Sequence, residues 1–254
     1  MADRHVRRWA ETALATARRA FGAGHPLVAA LVTTALLAAC AGPTRPKEPT
    51  MTPTPYLALG DSYTIGEAVA EDDRWPVRLA AALRDEGVAL ADPRIIATTG
   101  WTTDELAEAL DAAEPLGEWG FVSLLIGVNN QYRGRSLDNY RSEFDALLVR
   151  AIGYAGGRAD RVMVLSIPDW GVTPFGERDD RGVDAIGAEI DAFNAAAREL
   201  CAARGVVFVD ITPVSREHGA EPAMVAEDGL HPSASMYAEW TRVALPVARG
   251  LLAD

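Results

Sequence analysis

Gly60-Asp61-Ser62 follows the apolar run Tyr56-Leu57-Ala58-Leu59 and precedes Gly66, where a helix would begin. A buried strand running into that turn leaves the Ser62 hydroxyl at the carboxyl edge of a sheet, where open α/β folds hold their ligands. A serine hydroxyl is a weak nucleophile until a base takes its proton. Gly-Asp-Ser is also ordinary turn chemistry, so the rest of the chain has to supply that base. His5 and His25 fall in an amino-terminal leader, which leaves His218 and His231. His231 stands in Glu227-Asp228-Gly229-Leu230-His231-Pro232-Ser233, just ahead of a helix whose first residue would be Pro232. Asp228 can fold back across the glycine turn to hold Nδ1 and leave Nε2 free for the serine proton. His218 has Glu217 beside it and no such turn, so it reads as structural. A developing oxyanion needs donors fixed in advance. Gly100, in Thr98-Thr99-Gly100-Trp101, can present a bare backbone N–H. Asn129, in Ile126-Gly127-Val128-Asn129-Asn130, can offer a side-chain amide. Each also has a plain local reading, as a turn glycine and an Asx turn. Together, three strand ends and one turn supply a nucleophile, two donors, an acid and a base.

The elements that must hold these groups alternate. Apolar runs at 56–60, 94–98, 121–126, 161–167 and 206–210 are short and partly Val/Ile-rich, as strands buried on both faces are. Helical spacing lies between them: Leu79 and Leu83; Leu106 and Leu110; Leu137, Tyr140, Phe144, Leu147, Leu148 and Ala151. A last helix covers about 233–252, with Met236, Trp240, Val243, Val247 and Leu251 on one face. Strict alternation predicts a parallel, doubly wound α/β sheet with helices on both faces. Two connections on the predicted ligand edge are long, 168–183 and 211–231, the second without periodicity. Trp101, Tyr132, Trp170 and Phe175 fall in loops at that edge, where they would line an acyl pocket, stack on a sugar or simply pack.

Net charge across the 254 residues is −12, with no basic excess to neutralise phosphates, which argues against a nucleic-acid partner. Four histidines and two cysteines are too few and too scattered for a zinc site of usual spacing, and no metal or cofactor is expected. Residues 1–39 carry Arg4, Arg7, Arg8, Arg18 and Arg19, then the uncharged run Leu27 to Ala39. Thirteen helical residues span about 20 Å, short of the ~30 Å hydrocarbon core, so a signal-peptide core fits better than a transmembrane span. Leu37-Ala38-Ala39-Cys40 resembles the lipobox of bacterial lipoproteins, which implies a lipid on Cys40 and an extracytoplasmic enzyme anchored to the bacterial membrane. The alternative is an uncleaved hydrophobic anchor. Residues 40–55, rich in proline and threonine, read as an extended tether that joins no ladder, and the domain as 56–254. Cys201 sits on an apolar helical stripe and is assigned to the core.

In its Gly60-Asp61-Ser62, Gly127-Val128-Asn129 and Asp228-Gly229-Leu230-His231-Pro232 segments, with Gly100 between the first two, the chain resembles the SGNH (GDSL-type) hydrolases over about 56–250. The resemblance implies a flavodoxin-like three-layer α/β/α sandwich on a five-stranded parallel sheet. It implies Ser62 as nucleophile, Asp228 and His231 as the base pair, and Gly100, Asn129 and the Ser62 N–H as oxyanion donors. It thereby implies hydrolysis of acyl or acetyl esters, of lipid or carbohydrate, through an acyl-enzyme. Asn130 stands where the family often has Asp. The loop Ile167-Pro168-Asp169-Trp170-Gly171-Val172-Thr173-Pro174-Phe175 looks like that of lipid-esterase-like members. An O-acyltransferase would share every catalytic residue and differ only in excluding water. A non-catalytic ligand-binding module would leave Asn129, Asp228 and His231 without a purpose. Oligomeric state is not legible in the sequence.

Overall fold

A computed structural model describes residues 52–253. The leader, Cys40, His5, His25 and most of the tether therefore lie outside the described residues. Five parallel strands form one sheet in the order β2-β1-β3-β4-β5: β1 Tyr56–Gly60, β2 Arg94–Ala97, β3 Phe121–Leu125, β4 Val162–Leu165 and β5 Val207–Val209. All lie within the runs expected from sequence, and the order is that of a flavodoxin-like doubly wound sheet. β1 and β3 are buried along their whole length, because helices cover both faces. The one polar side chain in β3, Ser123, is matched inside the core by the Tyr56 hydroxyl at 2.9 Å.

The helices are α1 Ser62–Ile65, α2 Trp75–Asp85, α3 Thr103–Ala113, α4 Val128–Tyr132, α5 Leu137–Tyr154, α6 Val183–Arg204, α7 Thr212–His218 and α8 Ala234–Leu252. α2 packs on α8 to form one outer layer; α3, α5 and α6 pack in series to form the other. The result is the three-layer α/β/α sandwich. Cys201 is fully buried on α6, and burial pushes its thiol up to about 12, the behaviour of a small core hydrophobe.

Three expectations need correction. The segment 211–231 is not without structure: it begins with α7, whose seven residues are too few to show a helical period. Helix α8 starts at Ala234, not at Pro232, because the Ser233 hydroxyl caps it by accepting from Ser235 and Met236 N–H. Pro232 instead forms an antiparallel bridge with Val225. Finally, Thr54 of the presumed tether pairs in parallel with Leu90, donating to the Ala89 carbonyl at 2.7 Å and accepting from Ala91 at 2.9 Å. Prolines on either side of a residue do not remove its own N–H.

The turn after β1 depends on a residue without a side chain. A Cβ on Gly60 would overlap Thr64 Oγ1 and the Leu125 carbonyl oxygen, the second of which belongs to β3 and cannot move. Gly60→Ala is expected to lower the unfolding free energy by about 1–3 kcal/mol, the usual cost of overpacking, read by urea denaturation. An unchanged midpoint would show that β1 and β3 can part locally.

Candidate active site

Ser62 lies one residue beyond β1 and is the first residue of α1. Asp61 caps that helix, its Oδ1 accepting from Tyr63 N–H at 3.0 Å. The same carboxylate is fully buried, and among the described residues its Oδ2 has no partner. Burial pushes its pKa up to about 7, with backbone N–H bonds opposing the shift.

Gly100 ends the turn after β2, and Asn129 lies in the first turn of α4, after β3. Ser62, Gly100, Asn129 and His231 all line one cavity of about 190 Å³. The carboxyl ends of β1, β2 and β3 meet there, on both sides of the point where the strand order reverses. Asp228 does not line the cavity; it stands behind His231. Its Oδ2 lies 2.6 Å from His231 Nδ1, and its Oδ1 accepts from the N–H groups of Leu230 and His231, both at 2.9 Å. Gly229, at φ +73°, makes that reversal possible. Burial alone would raise the Asp228 pKa, but the bonds from His231 and the two N–H groups outweigh it and hold it below the usual carboxylate value. An ionised carboxylate on Nδ1 selects the tautomer with Nε2 unprotonated. His218 stands apart from the cavity, its Nδ1 2.8 Å from Glu221 Oε1, a bond that raises its pKa.

Three groups can serve as oxyanion donors. Among the described residues neither the Ser62 nor the Gly100 N–H has a hydrogen-bond acceptor. Asn129 Nδ2 spends one N–H on the Trp101 carbonyl at 2.9 Å, which fixes the amide and leaves its second N–H unused. Asn130 is buried and turned away: its Oδ1 accepts from Thr103 N–H at 3.0 Å and its Nδ2 donates to Thr103 Oγ1 at 2.6 Å. The Thr103 hydroxyl donates in turn to Glu143. An Asp at this position would accept that hydroxyl itself; Asn suits a threonine whose proton is already committed.

Of the four aromatic residues singled out in the loops, Tyr132, Trp170 and Phe175 line the cavity and Trp101 does not; its side chain packs against the core. The three rings pack on one another at centroid distances of 5.4–6.4 Å. Trp170 is fixed by its Nε1 donating to Gln131 Oε1 at 2.9 Å. The Arg181 guanidinium lies over Tyr132 and Trp170, 5.3 and 5.0 Å from the ring centroids, held by a two-pronged pair with Asp179. Phe175 N–H donates to the Gly229 carbonyl at 2.9 Å, tying this wall to the Asp228–His231 turn. Sequence reasoning missed Tyr63, Thr99, Val128 and Leu230 as lining residues. Each adjoins a singled-out residue, and that adjacency was the available signal. Among the described residues, no group of three or more His, Cys, Asp and Glu side chains could hold a metal ion.

The raised Asp61 pKa has a definite sign. The folded state keeps the proton to higher pH than the unfolded chain, so ionising Asp61 costs stability as pH climbs from about 4 to 7. Asp61→Asn keeps the Oδ1 acceptor and removes the titration. Its melting temperature should therefore gain on wild type between pH 5 and pH 8. A difference that does not vary with pH would show that Asp61 is solvated.

The model of the GDSL-like lipase/acylhydrolase family matches residues 58–239. No curated protein matches the chain in sequence. Solved structures that share the fold include the lipase/acylhydrolase from Enterococcus faecalis, 19% identical over 78% of this chain and 96% of that one, TM-score 0.60. Another is an acetyl xylan esterase from Geobacillus stearothermophilus, 18% identical over 77% and 94%, TM-score 0.60. A third is phospholipase A1 from Streptomyces albidoflavus, 21% identical over 78% and 99%, TM-score 0.56. At such identities these neighbours establish the fold alone, whereas the family match runs from β1 into α8 and so takes in every residue that lines the cavity. The chain belongs to the GDSL-like lipase/acylhydrolase family of carboxylic ester hydrolases.

Proposed function

We propose that the protein hydrolyses carboxylic esters of short to medium acyl chains through a Ser62 acyl-enzyme. One observation carries this reading: Ser62, Gly100, Asn129 and His231, from four separate segments, meet on one cavity with Asp228 bonded behind His231. Ser62 Oγ attacks the ester carbonyl and its proton passes to His231 Nε2. The tetrahedral oxyanion is held by the N–H groups of Ser62 and Gly100 and the free N–H of Asn129. His231 then gives the proton to the departing alcohol, leaving Ser62 acylated. Water, deprotonated by His231, attacks the acyl carbonyl; the acid departs and Ser62 recovers its proton.

The acyl group fits the wall of Tyr132, Trp170 and Phe175. At about 190 Å³ the cavity is comparable with the ~150 Å³ cavity that takes up a benzene ring, so it covers only the first several carbons of an acyl chain. Among p-nitrophenyl esters, kcat/KM should peak at four to eight carbons and fall beyond; a maximum at sixteen would contradict the cavity's role. Ser62→Ala and His231→Ala should each lower kcat by several orders of magnitude, with the double variant little worse than either. Asn129→Ala should cost about 10²–10³ in kcat. Full activity in His231→Ala with loss in His218→Ala would reverse the assignment.

The proposal includes an anchored, extracytoplasmic enzyme with its lipid on Cys40. The support is sequence alone: the basic region, the short apolar run and Leu37-Ala38-Ala39-Cys40. One acyl chain binds a membrane only marginally, so a stable anchor needs more than one. An azido-palmitate label should enter wild type in a bacterial host and be lost in Cys40→Ser. A label that survives the substitution would remove Cys40 as the anchor.

A further inference from the structure

The two oxyanion donors that Ser62 does not itself supply come from different segments, and one residue outside the cavity lining bonds to both. Arg133 immediately follows α4. Its backbone N–H donates to the Asn129 carbonyl at 3.0 Å, and its Nη2 donates to the Gly100 carbonyl at 2.6 Å. The other prong, Nη1, lies 3.2 Å from Glu105 Oε1. Glu105 Oε2 accepts from Thr102 N–H at 2.8 Å, two residues past Gly100. The guanidinium thus closes a ring through Gly100, Thr102 and Glu105, and the Arg133 backbone N–H and the Asn129–Trp101 bond tie that ring to α4.

The turn needs such a brace. Gly100 has φ +88° and no side chain to anchor it. Trp101 N–H to the Thr98 carbonyl, the backbone bond that closes this turn, is long at 3.3 Å. β2, which leads into it, is the edge strand of the sheet. An oxyanion donor is effective only if its position is set before the charge develops, and a misplacement of about 1 Å can cost 10²-fold.

We propose that Arg133 is the positioning residue of the oxyanion hole, holding the Gly100 N–H and the Asn129 amide at a fixed separation. It touches no substrate and acts through those two residues. The proposal rests on the serine-ester reading above. A purely structural role predicts little: the Arg133–Glu105 pair is over a third exposed on both sides, and such pairs add little stability.

The test compares Arg133→Met and Arg133→Lys with wild type on a p-nitrophenyl ester of four carbons. In Arg133→Met, kcat should fall about 10–100-fold with KM within threefold and the melting temperature nearly unchanged. Lysine lacks the fork and can restore only one of the two bonds, so it should recover part of the loss. The inhibition constant of an alkyl trifluoromethyl ketone, which becomes an oxyanion on Ser62, should rise in step with the fall in kcat/KM. A kcat within twofold of wild type in Arg133→Met, a change confined to KM, or a loss that follows the melting temperature would overturn the proposal. Activity that survives Ser62→Ala would instead overturn the reading beneath it. Dependence on Ser62 with indifference to Arg133 overturns this inference alone.

Discussion

The site depends first on one short contact, the 2.6 Å approach of His231 Nδ1 to Asp228 Oδ2. An imidazole can accept a serine proton only if its other nitrogen is committed, and a carboxylate three residues earlier commits it. The surroundings serve that geometry. Gly229 reverses the chain, two backbone N–H groups hold the second carboxylate oxygen, and Ser233 and Ala226 pin the turn from outside through bonds to the Met224 carbonyl at 3.0 Å and the His231 carbonyl at 2.7 Å. The edge of Tyr63 packs on the imidazole with centroids 5.9 Å apart. Little freedom remains for the ring to turn away.

The other half of the site is held by a different means. Ser62 is placed by β1, a central strand buried along its length, whereas Gly100 follows an edge strand. The sheet alone fixes the first firmly and the second loosely. Side chains from α4 and the residues just after it make up the difference: Asn129 on the Trp101 carbonyl, Asn130 on Thr103, Arg133 on Gly100 and Glu105, and Arg135 on Asp104 at 2.6 Å. These bonds join the loop after β2 and the first turn of α3 to α4 and the residues just after it, the two segments that carry the proposed donors. The aromatic wall is braced likewise, by Arg181 on its rings and by Arg216, whose Nε donates to the buried Asp169 at 2.8 Å.

Much of this was legible because its signals are local. Strands buried on both faces show as apolar runs, and Gly-Asp-Ser and Asp-x-x-His carry their turns within a few residues. What escaped was tertiary or too short. Helix α7 has seven residues, less than two full turns on which a period could register. Thr54 was hidden by its proline neighbours, and Trp101, beside Gly100, faces the core instead of the cavity. Arg133 and Arg181 were invisible for a physical reason: each pairs with a carboxylate, Glu105 and Asp179, but the contacts that brace the site are to a carbonyl and to two ring faces, which sequence does not mark as partners of a charge. Whether Asn or Asp suits position 130 likewise depended on Glu143, on another helix.

If Ser62, Gly100 and Asn129 hold one oxyanion while His231 handles the proton, a crystal structure of the protein after reaction with an alkyl p-nitrophenyl phosphonate should show it, because the phosphonyl oxygen stands in for the oxyanion. A covalent bond from Ser62 Oγ to phosphorus is expected, with that oxygen within about 2.7–3.1 Å of Ser62 N, Gly100 N and Asn129 Nδ2. An adduct on another residue, or a phosphonyl oxygen turned to solvent with Gly100 and Asn129 unengaged, would contradict it.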